Sequence, residues 1–292
     1  QNTINMINEK LILTTKLLRE IDKYVYEGFG KTKAQVSIIS NIAPGVLKAE
    51  VDWPNNEQDI VIATISYYIG ACFGVWNIQL ASDVLPPEKL LSPLDHVNIC
   101  PPGMLQDLNR LPVKSGDVHE GYPLRITWSG ILVDDETQPE DIIIRIREAI
   151  EVIWKDKAND IEQEVCEILN ISSLREYFIK PTKFFVDHLK RYSKSRRKAP
   201  VYWPLSTPSG SYTLWLYYHR LTDQTLYKCV NDFVEPKLKQ VSNTADVLQR
   251  KTGRSHEEEQ ALEKYLDLAL EISDFRDELL RIAGFWKPNL ND

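Results

Sequence analysis

Positive side chains are concentrated in one short stretch of this sequence. Residues 180–200 contain eight lysines and arginines and a single acid, Asp187, so the eight positive charges less one negative charge leave +7. The chain as a whole has a formal net charge of −7. A local charge opposite in sign to that of the whole chain is typical of a surface that meets a polyanion.

The chemistry expected of this basic stretch is the binding of phosphate oxygens. Lysine, arginine and nearby serine side chains suit phosphate, and each neutralised phosphate releases a counterion, so binding should depend steeply on salt. Tyr202 and Trp203 follow directly and are candidates for stacking on a base, although a Trp in a β-hairpin is commonly a core residue. The alternative for the whole run is a solvated charged face. The predicted phosphate-binding residues are Lys183, Lys190, Arg191, Lys194, Arg196, Arg197 and Lys198.

Catalytic patterns are absent or weak. The sequence has no GxGxxG or GxxxxGK phosphate loop and no GxSxG nucleophile elbow. The run 98–103 (NICPPG) imitates the NPPY-type motif of base methylation, but Gly103 stands where the aromatic residue that grips the base belongs. Asp232, Glu235 and Lys237 have a spacing used by metal-dependent nucleases, and a helix C-terminus with the lysine at the negative end of the dipole is the alternative for this segment. The five histidines share no metal-ligand spacing.

Hydrophobic periodicity predicts mainly helices. Apolar residues recur at steps of three and four in 11–26, 142–154, 160–169, 173–178, 184–192, 226–234 and 257–282, and the apolar run 61–76 reads as a buried helix. Thr137 and Glu140 form a predicted capping box, and the helix 226–234 is expected to be strained or to end near Pro236. Alternation predicts strands at 122–131, 201–207 and 212–221, the last two forming a hairpin. The predicted fold class is α+β, predominantly helical, with a small antiparallel β-hairpin or sheet element around 122–131 and 201–221.

Composition divides the chain into three predicted segments. Residues 1–84 form an N-terminal helical segment, 85–135 a Pro-rich irregular linker or insertion with a strand, and 136–292 a helical and β-hairpin domain with the basic segment. Four scattered cysteines and the lack of a signal-peptide pattern predict reduced thiols and a cytoplasmic location. The start at Gln1 without a methionine suggests a piece of a longer protein.

The sequence resembles a family of large enzymes over most of its length. The run 184–238 (FFVDHLKRYSKSRRKAPVYWPLSTPSGSYTLWLYYHRLTDQTLYKCVNDFVEPKL) is similar to the C-terminal half of large bacterial adenine-specific DNA methyltransferases. These are the methylases of BREX-type phage-defence islands and their Type IIG restriction-modification relatives. The segments ISYYIGACFGVWNI, EGYPLRITWSGILVDD, PEDIIIRIREAIEVIW and GFWKPNLND fit the same layout, and residues 197–203 (RKAPVYW) match the family's RxPIYW-like run.

The resemblance implies a spacer and target-recognition region without catalytic residues of its own. The S-adenosylmethionine fold and the NPPY-type motif of such enzymes lie N-terminal to this region, so no cofactor or metal is expected here and S-adenosylmethionine is expected in the parent protein. The implied partners are double-stranded DNA and the catalytic methyltransferase domain of the same parent chain, and no membrane is expected. Two alternatives stay open: a protein–protein interaction module of a defence complex built on helix 257–282, and a metal-dependent nuclease using Glu235 and Lys237.

Overall fold

The computed structural model describes residues 56–82, 100, 103–179, 182–194 and 197–286, with the backbone alone described at positions 193, 194, 197 and 198. The chain divides at Ile60 into two compact units, and the features below belong to the second, Val61–Asp292. The helices are α1 (Glu57–Cys72), α2 (Ile142–Trp154), α3 (Ala158–Leu169), α4 (Phe184–Arg191), α5 (Thr225–Lys228), α6 (Glu235–Arg250) and α7 (His256–Ala283), with a π-helix (Cys229–Val234) between α5 and α6. The strands are β1 (Ile131–Val133), β2 (Ser193–Lys194), β3 (Arg197–Lys198), β4 (Tyr202–Ser206) and β5 (Thr213–Tyr217).

Several expectations from the sequence fall outside the described residues. These are the predicted helix 11–26, most of the run 98–103, Arg196 as a whole, and the side chains of Lys194, Arg197 and Lys198. The predicted segment boundaries at 84/85 and 135/136 stay predictions. Within the described ranges, the helices lack the stretch of continuous apolar sequence that a membrane span requires.

Three strands form one small antiparallel sheet in the order β1-β5-β4. In the central strand, Trp215 lies opposite Leu132 of β1 and opposite Pro204 of β4. Directly after β4, Thr207 N–H donates to the Tyr212 carbonyl at 3.0 Å, so the N–H of Thr207 points toward the β5 side of the ladder. Because N–H groups along an antiparallel strand point alternately toward and away from the partner strand, the nitrogen of Pro204, three positions earlier, points away from β5 to the outer edge. Proline is tolerated there because β4 is an edge strand. The predicted fold class, mainly helical with a small antiparallel sheet, is confirmed.

The first strand lies at the very end of the segment predicted for it. Of residues 122–131, only Ile131 belongs to β1, and the preceding residues form bends, a turn and an irregular stretch at 125–127. Pro123 has no N–H to give to a ladder, and Gly130 adopts φ +70, which ends the turn just before the strand. The hairpin predicted at 201–221 is confirmed by β4 and β5, and its last residues form a 3₁₀ turn, Tyr218–Arg220.

The sheet separates two apolar cores. Leu132 and Trp215 face the first core, which also contains residues of α1, α2 and α4. Ile131, Val133 and Leu214 face the second core, which contains residues of α5, α6 and α7. Successive strand residues point to opposite faces, so a sheet covered on both sides needs a nearly continuous apolar sequence. This requirement explains why β5 reads TLWLY.

Helix α2 begins with a cap that the sequence pattern did not indicate. Oδ1 of Asp141 accepts the backbone N–H groups of Ile143 at 3.1 Å and Ile144 at 3.0 Å. The predicted capping box is wrong, because Thr137 bonds within the preceding turn and the carboxylate of Glu140 accepts from the segment before β1. The N-terminus of α2 is therefore fixed by a completely buried carboxylate.

The C-terminal helices are longer than the sequence indicated. Of the two alternatives at Pro236, a helix end is wrong, since the π-helix leads directly into α6 with Pro236 in the first turn of α6, and the departure from α-helical geometry directly before Pro236 fits a strained helix. Proline removes an N–H and crowds the carbonyl four residues before it, and a wider π turn accommodates both effects. The predicted helix 257–282 is confirmed as α7, and a capping box formed by Ser255 and Glu258 starts it.

Candidate nucleic-acid interface

Helix α4 has one apolar side and one basic end. Phe184 and His188, four residues apart, are buried in the core. Lys190 and Arg191 belong to the last turn and are exposed, at the helix end where the dipole favours positive charge. Because the two buried residues fix the rotation of the helix, its basic end is held at the surface.

His188 ties α4 to β4. Its Nε2 accepts the backbone N–H groups of Val201 at 3.0 Å and Tyr202 at 3.1 Å. A ring nitrogen that accepts two hydrogen bonds carries no proton, so the imidazole is neutral and protonated at Nδ1. Burial, and to a smaller extent the charge of Arg191, lowers the pKa of His188 from 6.5 to about 4. The Tyr192 ring, with its centroid 4.6 Å from that of the imidazole, helps to enclose it.

A two-stranded hairpin follows α4 and contains most of the predicted phosphate-binding residues; residues 192–199 are called the basic hairpin below. Its strands β2 and β3 pair in antiparallel register, with Lys194 opposite Arg197. The backbone thus brings Lys194, Arg197 and Lys198 onto one short element directly after Arg191. Arg196 belongs to the connecting residues, outside the described part of the chain.

Two of the predicted phosphate-binding residues are paired with carboxylates of the chain itself. Lys183 forms an ion pair with Glu176, and Lys190 Nζ lies 3.2 Å from Oδ1 of Asp187. The hydrogen bond from Lys183 is the main reason why the pKa of Glu176 falls to about 2. Arg191, by contrast, forms no ion pair with any described carboxylate. Among the predicted cations with described side chains, Arg191 is therefore the one whose charge is fully available to a polyanion.

Tyr202 and Trp203 point to opposite faces of β4. Tyr202 is 2% exposed and stacks on Phe73 with a centroid separation of 5.7 Å. No face of its ring is open to a base, so we remove Tyr202 from the candidate interface. Trp203 is 43% exposed, and its Nε1 donates to the carbonyl of Pro200 at 3.0 Å. Trp203 is the one of the two whose ring a base can reach.

A cavity of about 730 Å³ lies beside the basic hairpin. Tyr192 of the hairpin lines it, together with Val201 and Tyr217 of the neighbouring segments. Two cations, Lys114 and Arg220, also line it. The sequence analysis did not single out this cavity, because its lining residues are up to about 150 positions apart and only the tertiary fold brings them together.

Arg220 is the half-buried cation of this cavity. Its Nη1 donates to the carbonyl of Thr127 at 3.0 Å, and its Cζ lies 4.5 Å from the centre of the Trp128 ring. Burial lowers the pKa of Arg220 from its usual value, and in the described residues no carboxylate pairs with it. Gly130 makes room for this packing, since a Cβ there would lie 2.8 Å from Cβ of Arg220. The sequence feature that could have indicated Arg220 is its position as a basic residue at the end of an aromatic strand.

The proposed nuclease residues are engaged elsewhere. Lys237 Nζ lies 3.1 Å from Oδ1 of Asp135, and Oε1 of Glu235 lies 3.4 Å from Nη1 of Arg276. Both residues are part of helix α6, not of a strand. In the part of the chain that the structure describes, no group of three or more His, Cys, Asp or Glu side chains is placed to hold a metal ion. This geometry does not support a nuclease centre at Glu235 and Lys237.

Comparison with known proteins gives one informative similarity. No protein-family model matches the chain. The chain is similar to an adenine-specific methyltransferase, BrxX, of Escherichia coli O9:H4 (strain HS), with 29% identity over 133 residues. The similar region covers 40% of this chain and 10% of that protein, so the chain corresponds to a small part of its relative. The similarity supports a relationship to methyltransferases.

Proposed function

We propose that this chain is a noncatalytic DNA-recognition and spacer region of an adenine-specific DNA methyltransferase from a phage-defence or restriction-modification system. The region corresponds to the part of the parent protein that follows the catalytic domain, and it acts in the cytoplasm. The catalytic domain of the same parent chain supplies the S-adenosylmethionine site. Double-stranded DNA is the partner that the basic segment holds.

One observation carries this proposal: Arg191, exposed and without an ion pair to any carboxylate that the structure describes, stands at the end of α4, directly before the basic hairpin, on a chain of net charge −7. Phosphate contacts need cations whose charge is not already neutralised, and arginine offers two donors to one phosphate. The anchoring of α4 by His188 supports the same conclusion, because it holds the start of the hairpin in a fixed place. The similarity to an adenine-specific methyltransferase, together with the sequence resemblance to adenine-specific DNA methyltransferases, supports DNA as the polyanion.

The proposed interface is smaller than the basic stretch as a whole. It consists of Arg191 and the cations of the basic hairpin, with Trp203 at its edge as the ring open to an unpaired base. Lys183 and Lys190 contribute less, since each is paired with a carboxylate of the chain. These contacts hold the backbone and do not by themselves read a sequence.

The test is the salt dependence of duplex binding. Fluorescence anisotropy with a 20-base-pair duplex at 50–200 mM NaCl measures the slope of log affinity against log salt for the unaltered chain and for the triple variant Arg196→Ala, Arg197→Ala, Lys198→Ala. Removing three phosphate contacts should reduce the slope by about 2 to 3. The matched control removes three exposed lysines of the C-terminal helices, Lys228, Lys239 and Lys264, by alanine substitution. Equal slopes for the two triple variants would contradict the proposal.

A protein-docking role is the second candidate, and an exposed apolar pair favours it. Leu266 and Leu270 lie one turn apart on α7 and are 48% and 65% exposed. Such a pair is a usual anchor for another helix or for a second domain. Co-expression with the catalytic domain of the parent protein tests this role, with Leu266→Glu and Leu270→Glu together as the variant. Docking is favoured over DNA recognition by two results together. The catalytic domain should no longer co-purify with this variant, and the unaltered chain should not bind the duplex.

A further inference from the structure

The cavity beside the basic hairpin has the charge and the rings that suit a nucleotide. Its described lining includes the cations Arg220 and Lys114 and no acidic residue, although the chain as a whole is acidic. Trp76, Tyr192 and Tyr217 add aromatic surface. We propose that this cavity binds a single nucleotide, with the base against the aromatic rings and the phosphate on Arg220 and Lys114.

Arg220 is the strongest part of the argument. Within the described residues, only Nη1 of its guanidinium has a hydrogen-bond acceptor, the carbonyl of Thr127. Nη2 and Nε are left to offer two parallel N–H donors to one anion. A half-buried guanidinium without a described carboxylate partner has lost part of its hydration without gaining a counterion. A bound phosphate would supply the negative charge that compensates for this loss. Its contact with Trp128 holds the planar group in place.

The aromatic lining supplies the second half of the recognition. Every base has a π-face, so stacking on aromatic side chains binds bases with little dependence on sequence. The phenol of Tyr217 is neutral at physiological pH, as tyrosine normally is, and does not repel an anion; burial raises its pKa further. The volume of about 730 Å³ lies within the range of pockets that hold small ligands.

The position of the cavity indicates two possible sources for the nucleotide. Tyr192 belongs both to the cavity lining and to the first position of the basic hairpin. A strand held by the hairpin therefore passes close to the cavity and can supply an unstacked nucleotide. A free mononucleotide has the same chemistry. The inference goes beyond the proposed function, because a mononucleotide needs no duplex and no hairpin cation.

Isothermal titration calorimetry of the 292-residue chain with AMP tests the inference. Adenosine, which lacks the phosphate, and ribose 5-phosphate, which lacks the base, are the matched ligands, and each should bind at least about tenfold more weakly than AMP. Arg220→Gln should weaken AMP binding by roughly tenfold or more, and the exposed Lys114→Ala by about threefold. Lys264→Ala removes the same charge outside the cavity and should leave AMP affinity unchanged.

The outcomes separate this inference from the proposed function. AMP binding that falls in the Arg220→Gln and Lys114→Ala variants supports a nucleotide site, even if duplex binding fails. Binding of a 12-nucleotide single strand but not of AMP also supports a nucleotide site, provided that the same variants lose affinity for the strand. In that case the nucleotide that enters the cavity comes from a strand. Absence of binding to both probes overturns the inference, as does affinity that neither substitution changes. Near-ultraviolet circular dichroism checks the fold of Arg220→Gln, and Lys114→Ala decides the matter if that variant unfolds.

Discussion

The imidazole of His188 accepts the backbone N–H of Tyr202 at 3.1 Å, which links helix α4 to the first residue of β4 across the basic hairpin. The thirteen residues between them, 189–201, include the basic hairpin and are thus fixed at both ends. A flexible basic loop would lose conformational entropy on binding DNA, whereas an anchored hairpin loses less. The relationship makes His188 a positioning residue for the candidate interface and a source of pH dependence.

Stability should fall as the pH drops from 6.5 to about 4 because of His188. Above pH 6.5 the imidazole is neutral in both the folded and the unfolded chain, and its contribution is complete. Below 6.5 the unfolded chain takes up a proton that the folded chain, with a pKa of about 4, does not. This difference in proton uptake lowers the free energy of unfolding by about 3 kcal/mol by pH 4.

Urea denaturation between pH 4 and 7.5 measures this effect. Carboxylates also titrate in this interval, so the informative quantity is the difference between the unaltered chain and His188→Gln. The glutamine variant keeps an acceptor but has no titrating ring, and its stability should change less with pH. Parallel pH curves for the two proteins would show that His188 does not titrate as described.

Arg175 should be far more important to stability than a neighbouring arginine with a similar partner. Its Nη1 and Nη2 each lie 3.0 Å from the carboxylate of Asp141, which is completely buried and caps α2. Arg175→Met leaves that carboxylate without its cation, and breaking a buried pair from one side costs about 3–5 kcal/mol. Arg147→Met is the control, because its pair with Glu162 is at the surface and should be worth less than about 1 kcal/mol.

Guanidinium denaturation of the two methionine variants measures the contrast. A loss of similar size in both would mean that burial of Asp141 does not determine the cost.

Gly70→Ala should destabilise the protein, against the usual preference of helices. Alanine in a helix interior is normally better than glycine by about 1 kcal/mol. Here a Cβ would lie 2.4 Å from Cδ1 and 2.6 Å from Nε1 of Trp76, so the indole must move. We expect a net loss of about 1–3 kcal/mol.

Thermal unfolding compares this variant with Gly284→Ala, where the nearest atoms to a new Cβ are 3.6 and 3.8 Å away and little change is expected. Because Trp76 lines the cavity, its fluorescence should also shift in Gly70→Ala. An unchanged or raised melting temperature for Gly70→Ala would contradict the close packing of α1 on Trp76.

Arg191 and Lys183 should differ in their effect on duplex binding although both are basic and both border α4. Arg191→Ala should lower the salt slope by about 0.9, the value for one phosphate contact. Lys183→Ala should leave it unchanged, because Lys183 is paired with Glu176 and lies at the opposite end of α4, about 12 Å away at 1.5 Å per residue. Anisotropy titrations at several salt concentrations compare the two, and a larger effect of Lys183→Ala would show that the ion pair does not hold in solution.

The sequence by itself determined the elements whose side chains follow a local period. The apolar stripe of 257–282 gave α7, the alternation on either side of Pro208 and Gly210 gave β4 and β5, and the excess of positive charge marked the basic hairpin. The buried helix α1 was predicted from a continuous apolar run, 61–76, and not from a period. Each of these signals lies within about 30 residues, and backbone geometry converts it directly into a face or a turn.

The tertiary structure alone decided which groups meet. It buried Tyr202 and exposed Trp203, paired Lys183 with Glu176, and left Arg191 and Arg220 without a described carboxylate. The alternation of side chains along a strand predicts that Tyr202 and Trp203 point to opposite faces, but only the tertiary packing determines that the Tyr202 side is covered at this point of β4 and that Trp203 stays exposed. Charge availability is likewise a property of distances in the folded chain, even for Lys183 and Glu176, which are seven positions apart, and the local sequence pattern contains no such distance.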